Sequence, residues 1–125
     1  MIKKKTLVVG ASLNADRYAY RAITSLRHNG HSVLAWGLKK GIVADVLVET
    51  DLEDLLKRET AIDTVTVYLG ARNQEVLGKI LDYQKPSRFI FNPGAENPSF
   101  MNLIESHGIE VLEACTLVML ASKTY

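Results

Sequence analysis

The stretch Thr6-Leu7-Val8-Val9-Gly10-Ala11-Ser12-Leu13-Asn14 decides the fold of this 125-residue chain. The apolar run at 7–9 shows no polar alternation, which is typical of a strand covered on both faces. Gly10 permits a tight turn, and Asn14 or Asp16 can cap a helix that begins just beyond it. A buried strand that turns directly into a helix predicts the start of a βαβ unit.

The same turn is a candidate phosphate site. A helix that starts just past it directs unpaired N–H groups and the positive end of its dipole at a ligand, and Ser12 adds a hydroxyl. Gly10-Ala11-Ser12 lacks the second and third glycines of the dinucleotide fingerprint. An ordinary strand-to-helix turn without a ligand is therefore the alternative.

Composition predicts one ordinary globular domain over residues 1–125, with 47% hydrophobic and 23% charged residues. A formal net charge of +1 gives no overall attraction to nucleic acid or to a membrane surface. The single cysteine, Cys115, excludes an internal disulfide and favours a reducing compartment, so we expect a cytoplasmic location. No apolar run approaches the roughly 20 residues that a membrane helix needs.

Strand-like and helix-like segments alternate along the rest of the chain. This alternation predicts an α/β fold that is Rossmann-like and doubly wound, with a mostly parallel sheet and helices on both faces. The strand-like runs are 32–36, 46–48, 64–69, 88–91 and 109–112, with 46–48 read as a short edge strand. Helix starts are expected at the caps Asp51, Asn73 and Asn97, and a short buried terminal helix is expected over 115–121.

Ligands of open α/β sheets bind beyond the carboxyl ends of the strands, where strand order reverses. The loops that meet there are 10–14, 37–41, 68–72 and 92–97. A site for NAD would place Asp or Glu at the end of the second strand, but Gly37-Leu38-Lys39-Lys40 stands there instead. Basic residues at this position favour a nucleotide with an extra ribose phosphate, which leaves NADP and coenzyme A (CoA) as candidates.

Several motifs match one family over nearly the whole chain, and the most specific is Asn92-Pro93-Gly94 with Glu96-Asn97, followed by Cys115-Thr116. The chain resembles the stand-alone bacterial CoA-binding proteins, whose domain is similar to the CoA-binding domain of the succinyl-CoA synthetase α subunit. Many relatives have proline after the second strand, where this chain has Ala35-Trp36-Gly37-Leu38. The other matching pieces are Val9-Gly10-Ala11-Ser12, Arg17-Tyr18, Gly30-His31-Ser32-Val33, Lys39-Lys40-Gly41, Asp63-Thr64-Val65, Gly108-Ile109-Glu110-Val111 and Leu117-Val118-Met119-Leu120.

The resemblance implies a CoA site at the carboxyl edge of the sheet, and no residue inherits a catalytic role. The residues that it places around the ligand are Gly10, Ala11 and Ser12 at the pyrophosphate, Arg17 and Tyr18 nearby, Lys40 at a nucleotide phosphate, Tyr68 and Leu69 along the adenosine or pantetheine path, and Asn92, Pro93 and Gly94 as the opposite wall.

The leading hypothesis is a module that binds CoA or a short acyl-CoA and has no chemistry of its own. An NADP-dependent reductase and a nucleotide-binding subunit of a larger acyl-CoA enzyme are the alternatives, the second of which would need a protein partner. No proton donor or nucleophile stands beside a base in the loops, and the three histidines have no metal-ligand spacing. The phosphorylated histidine of the synthetase belongs to a second domain, for which these 125 residues leave no room.

We read Glu96 as an acid that favours a helix N-terminus rather than as a general base. We likewise read Cys115 as a small buried residue rather than as a thiolate that forms a mixed disulfide with CoA. No nucleic acid or membrane partner is expected.

Overall fold

The apolar run at 7–9 lies at the centre of the fold. In the computed structural model, which describes residues 2–125, this run belongs to strand β1 (Thr6–Ala11). Leu7, Val8 and Val9 are each fully buried because helices cover both faces of the sheet.

Six further strands and five α-helices follow β1. The strands are β2 (Val33–Gly37), β3 (Gly41–Val43), β4 (Val46–Glu49), β5 (Thr64–Val67), β6 (Arg88–Phe91) and β7 (Glu110–Glu113). The helices are α1 (Tyr18–His28), α2 (Leu52–Arg58), α3 (Leu77–Tyr83), α4 (Pro98–Ser106) and α5 (Thr116–Ala121), and a 3₁₀ helix over Ala71–Val76 precedes α3.

The sheet has the strand order β3-β4-β2-β1-β5-β6-β7. All neighbouring strands are parallel except β3 and β4, which are antiparallel. The chain first builds outward from β1 through β2 and then returns to the other side of β1 with β5. Strand order therefore reverses between β1 and β5, which is where a doubly wound sheet opens a crevice for a ligand.

Two hydrophobic clusters fill the space between the sheet and its helices. One cluster joins the sheet to α2, α3 and α4, and the other joins it to α1 and α5. This arrangement confirms the predicted Rossmann-like fold with helices on both faces. Within residues 2–125, no helix combines the length and the apolar character needed to cross a bilayer.

The first helix begins later than the sequence analysis expected. The Asn14 side chain accepts a hydrogen bond from the Asp16 N–H at 2.9 Å, and the Asn14 carbonyl accepts from the Arg17 N–H at 3.0 Å. These local bonds form a turn that competes with the helix, so α1 starts at Tyr18 with Arg17 at its N-cap. The expected caps at Asn14 and Asp16 were wrong.

The expected edge strand was also placed wrongly. β4 lies between β2 and a strand that the sequence analysis missed, β3, which forms the actual edge. β3 and β4 make a hairpin in which Ile42 lies opposite Leu47, and Ala44 in the turn has a positive φ of 55°. Because β3 carries the chain back along the edge, β4 runs parallel to β2 without a crossover helix.

The remaining helix starts agree with the sequence in two of three cases. Asp51 and Asn97 accept hydrogen bonds from the Asp54 and Phe100 N–H groups, as expected of N-caps. Asn73 is not a cap, because it lies inside the 3₁₀ helix with a non-helical φ of −111°. The terminal helix is less buried than expected, since Val118 is 63% exposed.

Candidate functional site at the carboxyl edge of the sheet

The carboxyl ends of β1, β2, β5 and β6 border one open cleft of about 1030 Å³. Its volume is at the upper end of the range for small-molecule sites, which is roughly 300 to 1,000 Å³. The residues that line it are Gly10, Ala11, Ser12, Leu13, Asn14, Arg17, Tyr18, Ala19, Trp36, Gly37, Leu38, Lys39, Tyr68, Leu69, Asn73, Pro93, Gly94 and Ala95.

The floor of the cleft is the turn at Gly10, which has a φ of +91°. A Cβ built on this residue would lie 3.0 Å from the carbonyl carbon and oxygen of Tyr68. Both the backbone conformation and the close approach therefore require glycine. The register with β2 shifts between Val9 and Ala11, so Gly10 is an extra residue that bends the end of β1 toward the cleft.

The N-terminus of α1 reaches the same cleft although the helix starts eight residues after Gly10. Arg17 and Tyr18 are exposed and line the opening. No side chain caps the first turn of α1, and this turn has no acidic residue. Its free N–H groups and its positive dipole end therefore remain open to an anion from the cleft.

The β2 side of the cleft is formed by the segment 36–39, which includes Gly37 and Lys39. Lys39 is exposed on the lining, whereas Lys40 is not part of it. The chain turns back into β3 at Gly41. A Cβ built on Gly41 would lie 2.7 Å from the Leu13 side chain, so these two residues pack closely. On this side of the cleft, Lys39 is the basic residue of the lining. The resemblance places Lys40 rather than Lys39 at a phosphate of the nucleotide.

The β5 and β6 side is formed by Tyr68 and Leu69 on one loop and by Pro93 and Gly94 on the other. Gly94 has a φ of +93°, and the Ala95 N–H donates to the Asn92 carbonyl at 2.8 Å. This geometry confirms the turn expected from Pro-Gly.

Asn92 itself points away from the cleft and is 2% exposed. Its amide nitrogen donates to Thr66 Oγ1 at 2.7 Å and to the Val67 carbonyl at 3.0 Å. Its amide oxygen accepts from the Thr116 N–H at 2.9 Å. Asn92 therefore joins β5, β6 and α5 inside the protein, and it is not part of the cleft lining, where the resemblance places it as a wall. Thr116, another polar residue of the matching motif, belongs to the same buried network, since its hydroxyl also lies 2.8 Å from Thr66 Oγ1.

The Tyr68 hydroxyl is buried beside this network and makes no hydrogen bond of normal geometry. Burial raises the pKa of Tyr68 to about 12, because the phenolate would lose its hydration, and the nearby Thr116 and Thr66 hydroxyls offset the rise only in part. Tyr68 therefore contributes to the cleft as a neutral side chain at physiological pH.

The charged residues on the lining are Arg17 and Lys39, and the lining contains no Asp or Glu. The Glu96 carboxylate accepts from the Gly94 N–H at 2.8 Å and so supports the turn at the rim. Among residues 2–125, no group of three His, Cys, Asp or Glu is arranged to hold a metal ion. The cleft thus presents positive charge and backbone N–H groups, a combination that binds phosphate.

Part of the lining, and one buried residue behind it, are not among the residues expected from the sequence. Leu13, Asn14 and Ala95 could have been included from their places in the loops that meet at this edge, and Trp36 from its place at the end of the second strand. Gln74 could not be identified from the sequence, because a glutamine inside an apparent helix is expected to be exposed. In the structure its side chain is fully buried.

Comparisons with known proteins agree with the fold. A model described as CoA binding domain matches residues 4–121. The crystal structure of an uncharacterized protein is 38% identical, has a TM-score of 0.91, and matches over 100% of both chains. A comparison with curated proteins gives no significant match.

Two more distant solved structures share the fold. A Thermus thermophilus protein described as cell-free ID.343 has a TM-score of 0.82 at 20% identity, covering 98% of this chain and 91% of its own. An NADPH-dependent glyoxylate/hydroxypyruvate reductase from Sinorhizobium meliloti, in complex with NADP and sulfate, has a TM-score of 0.60 at 16% identity. The match covers 90% of this chain and 38% of that enzyme.

Proposed function

This chain belongs to the family of CoA binding domains, and on that premise we propose that it binds CoA or a short acyl-CoA in the cleft at the carboxyl edge of the sheet. One observation carries the proposal. The same cleft contains the Gly10 turn, the uncapped start of α1 and the basic residues Arg17 and Lys39.

The pyrophosphate lies at the turn of Gly10, Ala11 and Ser12. The missing Cβ at Gly10 lets a phosphate approach the backbone, and the first turn of α1 supplies free N–H groups. Arg17 adds a positive charge on the same lining.

The ribose of the nucleotide lies at the end of β2. Dinucleotide sites place an acid at this position to hold a bare ribose, whereas the cleft has Lys39 and no Asp or Glu. A lysine here favours the 3′-phosphate of CoA. With the ribose at β2 and the pyrophosphate at β1, the pantetheine arm extends over the loops that follow β5 and β6.

We propose that the protein binds its ligand and does not catalyse a reaction on it. The lining has no Asp, Glu, His or Cys, and the Tyr68 hydroxyl is buried. None of the usual pairs of a general base with a nucleophile can therefore form on this lining. The single cysteine is consistent with a reducing compartment, so the proposal places the protein in the cytoplasm.

Titration calorimetry with a set of ligands tests the proposal. CoA and acetyl-CoA should bind with micromolar or tighter affinity, and NADP and NAD should bind at least about tenfold more weakly. Equal or tighter binding of NADP would replace the proposal with a nicotinamide-dependent reductase. If none of these ligands binds, the proposed function is wrong.

A further inference from the structure

We infer that Gln74 is a positioning residue that sets the spacing between the two loops beneath the pantetheine arm. The inference rests on the proposed function. Gln74 is fully buried, and its amide nitrogen donates to the Leu69 carbonyl at 2.9 Å and to the Ala95 carbonyl at 2.6 Å. Leu69 and Ala95 both line the cleft, one after β5 and the other after β6. We call these two hydrogen bonds the Gln74 bridge.

The hydrogen-bond partners of the Gln74 amide determine its orientation. Both partners are carbonyl oxygens, which only accept hydrogen bonds, so the NH₂ group of Gln74 must face them. Its oxygen, Oε1, consequently has no donor among residues 2–125. The side chain therefore uses its hydrogen-bonding capacity to hold the two loops together, even though this leaves a buried acceptor unpaired.

The backbone does not make this connection. The last backbone hydrogen bond between the two chain segments runs from the Asn92 N–H to the Val67 carbonyl at 3.3 Å. Beyond it, within the described part of the chain, no backbone hydrogen bond joins 68–72 to 93–97. The Gln74 bridge thus replaces the sheet ladder at the place where the strands have ended and the loops form the cleft.

The kink in the 3₁₀ helix explains how Gln74 comes to lie there. Asn73, with its non-helical φ of −111°, lies on the cleft lining, and the next residue is buried behind the lining. The irregular turn therefore presents one side chain to the cleft and the next one to the loops.

The bridge should influence one part of the ligand and not the other. Lys39, which faces the ribose, lies beyond the end of β2, away from the bridged loops. Gly10, which faces the pyrophosphate, adjoins the Tyr68 backbone, but Tyr68 is held to β1 by its own hydrogen bond, from its N–H to the Val9 carbonyl at 2.8 Å. Loss of the bridge should weaken binding of the pantetheine arm and leave the adenosine phosphate end unaffected. A residue that only stabilises the fold would not discriminate between the two ends.

Calorimetry on Gln74→Met with CoA and with adenosine 3′,5′-bisphosphate tests this. The variant keeps the side-chain length and removes both donors. We expect affinity for CoA to fall by roughly fivefold to twentyfold, in line with the modest net value of neutral hydrogen bonds, and affinity for the bisphosphate to stay within about twofold.

Gln84→Met is the matched control. Gln84 makes the same kind of bridge at the far end of α3, where its amide nitrogen donates to the Leu56 carbonyl at 3.0 Å and to the Glu59 carbonyl at 2.7 Å. This variant should lose thermal stability but keep its affinity for both ligands. Equal losses for both ligands in Gln74→Met, or no loss for CoA, would overturn the inference.

A measurement on the unsubstituted protein covers the case in which Gln74→Met does not fold. The side-chain ¹⁵NH₂ signals of Gln74 should shift when CoA is added and stay in place with the bisphosphate. No response to CoA, while backbone signals at Gly10 do respond, would overturn the inference. Absence of CoA binding altogether would instead refute the proposed function on which it rests.

Discussion

Gly37→Ala tests the packing that brings β2 against the Gly10 turn. A Cβ on Gly37 would lie 2.3 Å from the Ala11 carbonyl oxygen, 3.1 Å from its carbonyl carbon and 3.3 Å from Val48 Cγ1. The first of these distances is far inside van der Waals contact, so the strands must separate. The obstacle is backbone rather than a flexible side-chain end, and β1 is held between β2 and β5.

The expected cost follows from this geometry. Extra atoms in a well-packed interior typically cost about 1–3 kcal/mol, and an immobile neighbour favours the upper end, near 3 kcal/mol. For a chain of this size, each kcal/mol lowers the melting temperature by about 4 °C, so the variant should melt about 12 °C below the unsubstituted protein. Because Ala11 and Gly37 both line the cleft, CoA affinity should fall as well.

Urea unfolding followed by circular dichroism measures the stability, with Gly78→Ala as the matched control. A Cβ on Gly78 would meet no atom within 4 Å, and this residue lies in α3. Alanine should therefore be neutral there or stabilise by up to about 1 kcal/mol. If Gly37→Ala is as stable as the control, β1 and β2 do not pack in the register described, and the reasoning is refuted.

Three further predictions concern the site. Gly10→Val should lower CoA affinity at least about tenfold, because a valine side chain disfavours a φ of +91° and fills the space through which a phosphate would reach the backbone. A folded variant with full affinity in calorimetry would contradict this prediction. The protein should prefer CoA over dephospho-CoA by roughly tenfold, and Lys39→Ala should remove most of this preference. Lys40→Ala should preserve it, and the reverse result would assign the 3′-phosphate to Lys40. Because burial raises the pKa of Tyr68 to about 12, the unfolded chain loses this proton first, near pH 10, and stability should fall between those two pH values. Tyr68→Phe should remove that part of the fall in a series of urea unfolding curves, and an unchanged pH slope would show that the hydroxyl titrates normally.

The sequence predicts the architecture well because its signals are local and strong. An unbroken apolar run identifies β1, the Asp51 and Asn97 caps identify two helix starts, and Pro93-Gly94 identifies a turn. Each of these features depends on neighbouring residues only, and the alternation of elements then leaves few possible topologies.

The errors arise where tertiary or competing local contacts decide. Asparagine is a common N-cap residue, but the Asn14 side chain accepts a hydrogen bond from the Asp16 N–H instead. The helix α1 therefore begins later, at Tyr18. β3 has three residues and depends on pairing with β4, so its short sequence Gly41–Val43 reads as a loop. Neither outcome is visible in hydrophobic periodicity.

The sequence identifies the loops that meet at the cleft, but it does not identify the direction of their side chains. The family motif contains Asn92 and Thr116, and in the folded chain both belong to the buried network that supports the cleft. A motif shows which residues matter together but does not distinguish contact with a ligand from support of the backbone beside it. Lys39 and Lys40 are adjacent in sequence, and only the path of the chain into β3 places Lys39, and not Lys40, on the cleft lining.

A crystal structure of the protein grown with saturating CoA tests the central claim most directly. We expect the pyrophosphate against the backbone of Gly10, Ala11 and Ser12 at the start of α1, with the 3′-phosphate at Lys39. An unoccupied cleft at saturating CoA, or a CoA molecule bound outside this cleft, would contradict the account.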